Sequence, residues 1–227
     1  MCGRYTFTKP SDIVAMQFQV EVPLEIMPRY NIAPTQVSLI VRERIVNNRP
    51  KRELAAAQWG LVPSWAKDPS IGSRMINARS ETLREKPSFR GPFKYRRCLV
   101  PADGFYEWQT VEKSKYPFHI GMRDRSLFAF AGLWEEWEQP EGYLETFTII
   151  TTEANEKTKT LHDRMPVILE QRDYAEWLNP YNQKSETLEH LFQSYPATNM
   201  EIYPVSTAVN RAGVDSPELI VPHPERY

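Results

Sequence analysis

The sequence is short of several things at once. Its 227 residues contain two cysteines, nine glycines and four histidines. Two cysteines exclude a disulfide framework, and no C-x-x-C, H-E-x-x-H or EF-hand spacing occurs, so neither a metal nor a cofactor is expected. No apolar run approaches the ~20 residues of a membrane-spanning helix. Charge arrives at Arg4 and Lys9 before any signal-peptide core can form. Few thiols and no leader pattern predict a reducing, cytoplasmic setting with no membrane contact. With 19 prolines against nine glycines, rigid turns are favoured over long helices. A net charge of −1 selects no class of partner.

The composition is that of an ordinary folded protein, 41% hydrophobic and 25% charged. There is no internal repeat and no low-complexity linker, and residues 1–227 read as one domain. The charge is unevenly spread. Between Arg74 and Arg97 stand eight Lys/Arg and two acids, whereas "WEEWEQPEGYLE" (134–145) carries five Glu and no base. The first stretch is either a polyanion footprint or a solvated surface.

Strand patterns dominate. Residues 37–42 and 54–62 read as strands around a turn at "VNNRP", and 97–108 as a strand that bends and leaves extended. Residues 117–123 and 126–134 read as a hairpin joined near Asp124, and 143–151 as a core strand. Helices are expected at 11–18 with Ser11 as N-cap, at 171–178 and at 185–195. No βαβ rhythm appears. The fold expected is α+β, a mainly antiparallel, barrel-like core with a few peripheral helices.

The chemistry-bearing residues begin with "MCGRY". If Met1 is trimmed, Cys2 presents an amine and a thiol on adjacent carbons. An α-amine with a pKa of ~7.7–8.0 is neutral in roughly one molecule in seven at pH 7, far more often than a lysine. It forms a Schiff base readily, and the thiol can then close a five-membered thiazolidine on the imine carbon. The same pair also suits amide hydrolysis, with the thiol as nucleophile. A chance cysteine is the plain alternative. Glu107 stands among Phe105, Tyr106 and Trp108, where a carboxylate gains a raised pKa, though a solvent-facing strand Glu reads equally well. His162 lies in the polar knot "LHDRMP" and suits proton transfer. Trp65, Arg74, Asn77 and Arg79 offer stacking and phosphate contacts, with a structural cap as the competing reading of Asn77 and Arg79. Trp59 and Cys98 read as core, and His119, His190 and His223 have no informative context.

Six ordered motifs, "MCGRY", "RYNIAPTQ", "WGLVPSWA", "NARSETL", "RCLVPADGFYEW" and "LHDRMPVIL", with "YPVSTAVN" beyond them, resemble the SOS-response-associated peptidase family of abasic-site processing proteins. The resemblance implies a β-barrel-like core with a channel for single-stranded DNA. It implies that Cys2, freed of Met1, captures the aldehyde of an abasic site as a thiazolidine. Asn77 would hold the deoxyribose, Glu107 would shuttle protons and His162 would assist ring closure or reversal. Arg4 and Arg79 would grip phosphates, with Pro34, Trp65 and Arg74 along the DNA path. A lyase activity and a peptidase activity that removes the protein's own methionine are implied too. The expected state is a monomer whose partner is abasic single-stranded DNA. Three rivals remain open at this point: a glutamine amidotransferase of the N-terminal nucleophile class, a cysteine peptidase acting on other proteins, and a non-catalytic DNA binder.

Overall fold

The computed structural model describes residues 2–23 and 25–223. In chain order its elements open with β1 (Tyr5–Phe7), α1 (Ser11–Phe18), β2 (Arg29–Ile32), β3 (Val37–Val46), β4 (Arg49–Trp59) and β5 (Asn77–Arg79). Next come α2 (Pro87–Tyr95), β6 (Arg97–Ala102), β7 (Gly104–Val111), β8 (Ser114–Met122), β9 (Phe128–Gln139) and β10 (Gly142–Glu153). The chain finishes with β11 (Arg164–Pro166), β12 (Ile168–Leu169), α3 (Tyr174–Leu178) and β13 (Met200–Pro204), linked by short 3₁₀ turns.

Five strands close on themselves. The order β10-β4-β3-β6-β9 returns to β10 because β9 also pairs with β10, from Gly142↔Gln139 to Ile149↔Gly132. Closure removes the edges that an open sheet would expose. Most pairings are antiparallel, and β10 takes β4 and β5 in parallel. A second sheet, in the order β13-β8-β7-β1-β2, is antiparallel throughout. One core joins the two layers. Tyr5 of the second sheet meets Trp59 and Phe130 of the barrel edge-on at 5.2 and 5.9 Å. Trp59 and Cys98 are both fully buried, as their sequence contexts predict.

The barrel sets up a long excursion. β4 ends beside Phe147, and β5 resumes next to the same strand at Ile149. The chain between them leaves at Gly60, whose φ is +123° and whose N–H donates to the Phe147 carbonyl at 2.8 Å. A Cβ on Gly60 would lie 2.6 Å from the Gly72 carbonyl oxygen, so glycine is needed for the two backbones to cross. Trp65 and Arg74 ride on this pinched loop.

Several expectations are corrected. The 117–123 and 126–134 segments are strands but not a hairpin: β8 joins the second sheet and β9 the barrel. A tight turn separates them, with Arg125 donating to the Met122 carbonyl and Asp124 capping Ser126. The hairpin at Asn47 and Asn48, both with positive φ, is longer than the pattern indicated, its ladder running on to Val46↔Arg49 through exposed residues where no alternation marks a buried face. Ser11 opens α1 but does not cap it; its hydroxyl accepts from the Ile26 N–H. Residues 185–192 wind as a 3₁₀ helix, and the three-residue spacing of buried Leu188 and Leu191 fits that period. Helix α2 escapes sequence reading because "PSFRGPFKY" holds a glycine and a second proline.

The basic run is partly internal. Arg97, 5% exposed, donates to the carbonyls of Phe93, Lys94, Trp177, Asn179 and Asn182. Burial pulls its pKa down to about 10. Arg84 and Arg96 pair with Glu189 and Glu135. Arg97→Lys is therefore expected to lower unfolding stability on the order of 3 kcal/mol, because one ammonium cannot reach carbonyls on two segments. A urea titration showing a loss no larger than a surface substitution's, about 0.5 kcal/mol, would contradict this role.

Candidate active site

The N-terminal strand lies inside the second sheet, between β7 and β2. That placement holds Cys2 against neighbours on three sides. Its carbonyl accepts from Asn77 Nδ2 at 2.8 Å, and its Sγ contacts the Arg4 carbonyl at 3.8 Å. The side chain is fully buried. Burial first, and the Glu107 carboxylate second, push the thiol well above its ordinary pKa. The sulfur is therefore held as S–H and needs a base at hand to react.

Glu107 comes from β7, three residues beyond the bend at Gly104, and is 3% exposed. Its neighbours along the strand, Tyr106 and Trp108, turn to the other face with Val205 and Val209, so Glu107 faces inward. Burial pushes its carboxyl up. His162 follows the 3₁₀ turn Thr158–Thr160, whose Thr158 carbonyl accepts its N–H at 3.0 Å. The Arg164 N–H donates to His162 Nδ1 at 2.9 Å. A neutral His162 accordingly carries its hydrogen on Nε2.

Strand β10 gathers these pieces. Asn77 lies beside Ile149, Arg79 beside Thr151, and Arg164 on the other side beside Glu153. Asn77 Oδ1 is buried with no hydrogen-bond partner among the described residues. Such an oxygen is an open acceptor for a donor that the chain does not supply. Asn77 is hydrogen-bonded to Cys2, and buried Glu107 lies within electrostatic reach of both Cys2 and His162, four residues far apart in sequence. Together they offer a thiol, an acid with raised pKa, an imidazole N–H and an open acceptor.

The other sequence candidates lie around them. Trp65 is 59% exposed, and Arg74 and Arg79 are exposed, with no ion pair among the described residues. Pro34 is half-buried at the turn where Thr35 has φ 69° and donates to the Trp59 carbonyl. Arg4 is more occupied than the sequence indicated: it donates to Asn31 Oδ1 at 2.9 Å and to the Val209 carbonyl at 2.8 Å. Sequence reasoning missed the part played by Arg164, and of Asn31 it gave only that the side chain bonds to backbone. Arg164 forks onto Glu81 at 2.6 and 2.9 Å and also reaches the Thr151 carbonyl, beside the imidazole. Asn31 is fully buried and ties Arg4 to the 209–214 segment. Their positions next to "HD" and inside "RYN" were the available signals.

The profile of the SOS response associated peptidase (SRAP) family matches residues 1–212. The abasic site processing protein YoqW of Bacillus subtilis is 49% identical over 98% of this chain and all of its own. The abasic site processing protein HMCES of Gallus gallus is 37% identical over 86% of this chain, which covers 66% of that protein. A crystal structure of a protein from Bacteroides thetaiotaomicron superimposes with a TM-score of 0.85 at 26% identity, over 98% of this chain and all of the other. With its family profile running through Cys2, Asn77, Glu107 and His162 alike, the chain belongs to the SOS response associated peptidase family.

Proposed function

We propose that this protein captures abasic sites in single-stranded DNA as a covalent adduct on Cys2. The observation that carries the reading is Cys2 held between a buried acid, Glu107, and the open acceptor of Asn77. The relatives named for abasic-site processing support it.

The reaction requires hydrolysis of the Met1–Cys2 bond, which consumes one water and releases methionine. Met1 itself lies outside the described residues. A peptidase activity directed at that bond fits the family's description. The freed amine adds to C1′ of the ring-opened sugar, giving a carbinolamine. Protonation of its hydroxyl by Glu107 expels water, and the iminium formed returns its N–H proton to the Glu107 carboxylate to leave an imine. The thiol then adds to the imine carbon while its proton passes, through Glu107, to the nitrogen, and the thiazolidine closes with no redox change. A carboxyl with a raised pKa serves both proton transfers near neutrality. Asn77 Oδ1 receives a sugar hydroxyl, and His162 Nε2–H donates to the ring oxygen as it opens or recloses. Left at the imine, the sugar can lose its 2′ proton and 3′ phosphate, a lyase outcome that ring closure suppresses. Arg74 and Arg79 meet phosphates, Trp65 and Pro34 meet bases, and Arg4 adds a phosphate contact beyond its internal bonds. The protein acts as a monomer in this reading.

A denaturing gel with abasic single-stranded DNA tests the core of it. Processed wild type forms a heat-stable adduct, whereas Cys2→Ala forms at most a borohydride-trappable imine. A soluble, crosslinking-competent protein whose intact mass retains methionine would refute the aminothiol route. Release of ammonia from glutamine would favour an amidotransferase instead.

Glu107→Gln keeps size and loses proton transfer, so crosslinking slows while DNA binding persists. Stability supplies an independent readout. The folded pKa of Glu107 lies above the unfolded one, so the native state holds the extra proton and wild-type stability falls as pH rises through that interval. The melting temperature of Glu107→Gln is thus expected to gain on wild type between pH 4 and pH 8. A constant difference would show that the carboxyl is not strained by ionisation.

Affinity for undamaged single strands is expected to fall with salt by about 0.7 log units per log salt for each phosphate contact. Arg79→Ala should flatten the slope by about one contact. An unchanged slope would remove Arg79 from the DNA path.

A further inference from the structure

The face of the second sheet turned away from Cys2 carries a cavity of about 430 Å³, within the usual size range of small-molecule sites. Its floor is built from β1, β8 and β13, with Asp103 just ahead of β7. Asp103 accepts from Thr6 Oγ1 at 2.6 Å and from the Thr8 N–H and hydroxyl at 2.7 and 2.5 Å. Next to it lies His119, which is 7% exposed. Neither ring nitrogen has a hydrogen-bond partner among the described residues. Leaving such a group buried and unsatisfied costs about 1–3 kcal/mol.

The ring's position is nonetheless tightly held. Tyr203 stacks on it at 5.2 Å, and Tyr106 meets it edge-on at 5.3 Å. Gly104 leaves it room: a Cβ there would lie 2.1 Å from Nε2. Burial keeps the imidazole neutral, its pKa pulled down to about 4 against the pull of Asp103. A neutral imidazole presents one donor and one acceptor. Beside the Asp103 carboxylate, that floor suits a ligand edge carrying both an N–H and a carbonyl.

The wall and mouth differ in character. Met122, Ile220 and Val221 line an apolar side. Lys9 and Arg125 stand at the mouth with the Glu201 carboxylate between elements, and neither cation makes an ion pair among the described residues. Arg125 has φ 57°, a left-handed conformation that costs a non-glycine residue about 1–2 kcal/mol. Strain of this kind gathers at functional positions.

We propose that this cavity binds a free 5′-nucleotide, its base inward with a lactam edge on His119 and Asp103, and its phosphate at Lys9 and Arg125. A flat base matches the apolar wall, and the phosphate stays where the cations are. The site is separate from the Cys2 chemistry, on the opposite face of the same sheet.

The test uses the full chain and 5′-dTMP as probe, with ring nitrogens followed by ¹⁵N NMR and affinity by calorimetry. One-site binding that shifts the His119 nitrogens is expected. Arg125→Gly relieves the left-handed strain and removes the cation. It should fold at least as well, keep abasic-site crosslinking and weaken 5′-dTMP about tenfold or more. Thymidine and deoxyribose 5-phosphate should each bind more weakly than 5′-dTMP. His119 nitrogens unmoved at 5′-dTMP concentrations that saturate any binding seen by calorimetry would overturn the proposal, showing that the nucleotide does not reach the floor of the cavity. Equal affinity in Arg125→Gly, or deoxyribose 5-phosphate binding as well as the nucleotide, would overturn it as well.

Discussion

Everything at the site depends on one partly buried bond, the guanidinium of Arg4 on the side-chain oxygen of Asn31. Chain ends fray because few contacts offset their conformational entropy. Here the first strand is an interior strand, and Arg4 and Asn31 lock it to the segment that follows β13. The Asn31 amide donates to the carbonyls of Val209, Arg211 and Val214. Asp215 returns the tie by accepting from the Tyr30 N–H and Arg29. Residues two hundred positions apart thus clamp the strand on which Cys2 hangs. Covalent chemistry at a terminal residue needs such a clamp, since misplacement by about 1 Å can cost a hundredfold in rate.

Strand β10 does for the other side chains what the clamp does for Cys2. It closes the barrel against β9 and, where β4 ends, accepts β5 with Asn77. On its far edge it takes β11, just after His162. The crossing of Gly60 and Gly72 is what lets the excursion carrying Trp65 return to this strand in register. A barrel is well suited to this work because a closed hydrogen-bonded ring resists shear. The polar groups are then enclosed, and burial pushes both the Cys2 thiol and the Glu107 carboxyl above their ordinary pKa. An acid and a thiol that both resist ionisation can pass a proton without a stable charge forming between them.

Much of the fold was legible in the sequence. β-branched and aromatic runs mark the barrel strands, and "VNNRP" marks the long hairpin, because backbone preference and alternation are local. What misled was also physical. The Asp124 turn has the residues of a hairpin, yet β8 pairs with β7 and β13 while β9 pairs inside the barrel. Pairing is a contest among distant strands, and turn residues do not decide it. Helix α2 hid behind its glycine and Pro92, a propensity cost that burying Phe89 and Phe93 outweighs. The basic run read as one surface, whereas Arg97 is an internal clasp on two other chain segments.

The residue types needed for aldehyde or amide chemistry were apparent from the sequence alone. Cys2 is a potential aminothiol wherever it lies, because amine and thiol are on adjacent carbons of one residue. The ordered motifs were enough to point to the family, since each is contiguous. Tertiary structure alone decided which groups meet. The approach of Glu107 to Cys2, the hydrogen bond of Asn77 to the Cys2 carbonyl and the diversion of Arg4 into Asn31 each join residues remote along the chain. So does the cavity around His119, a residue with no informative sequence context. Its isolation comes from two tyrosines and a glycine on two strands far apart in sequence, β7 and β13. Desolvation and hydrogen-bond satisfaction are properties of a surrounding volume, and a linear sequence does not state its volume until it folds.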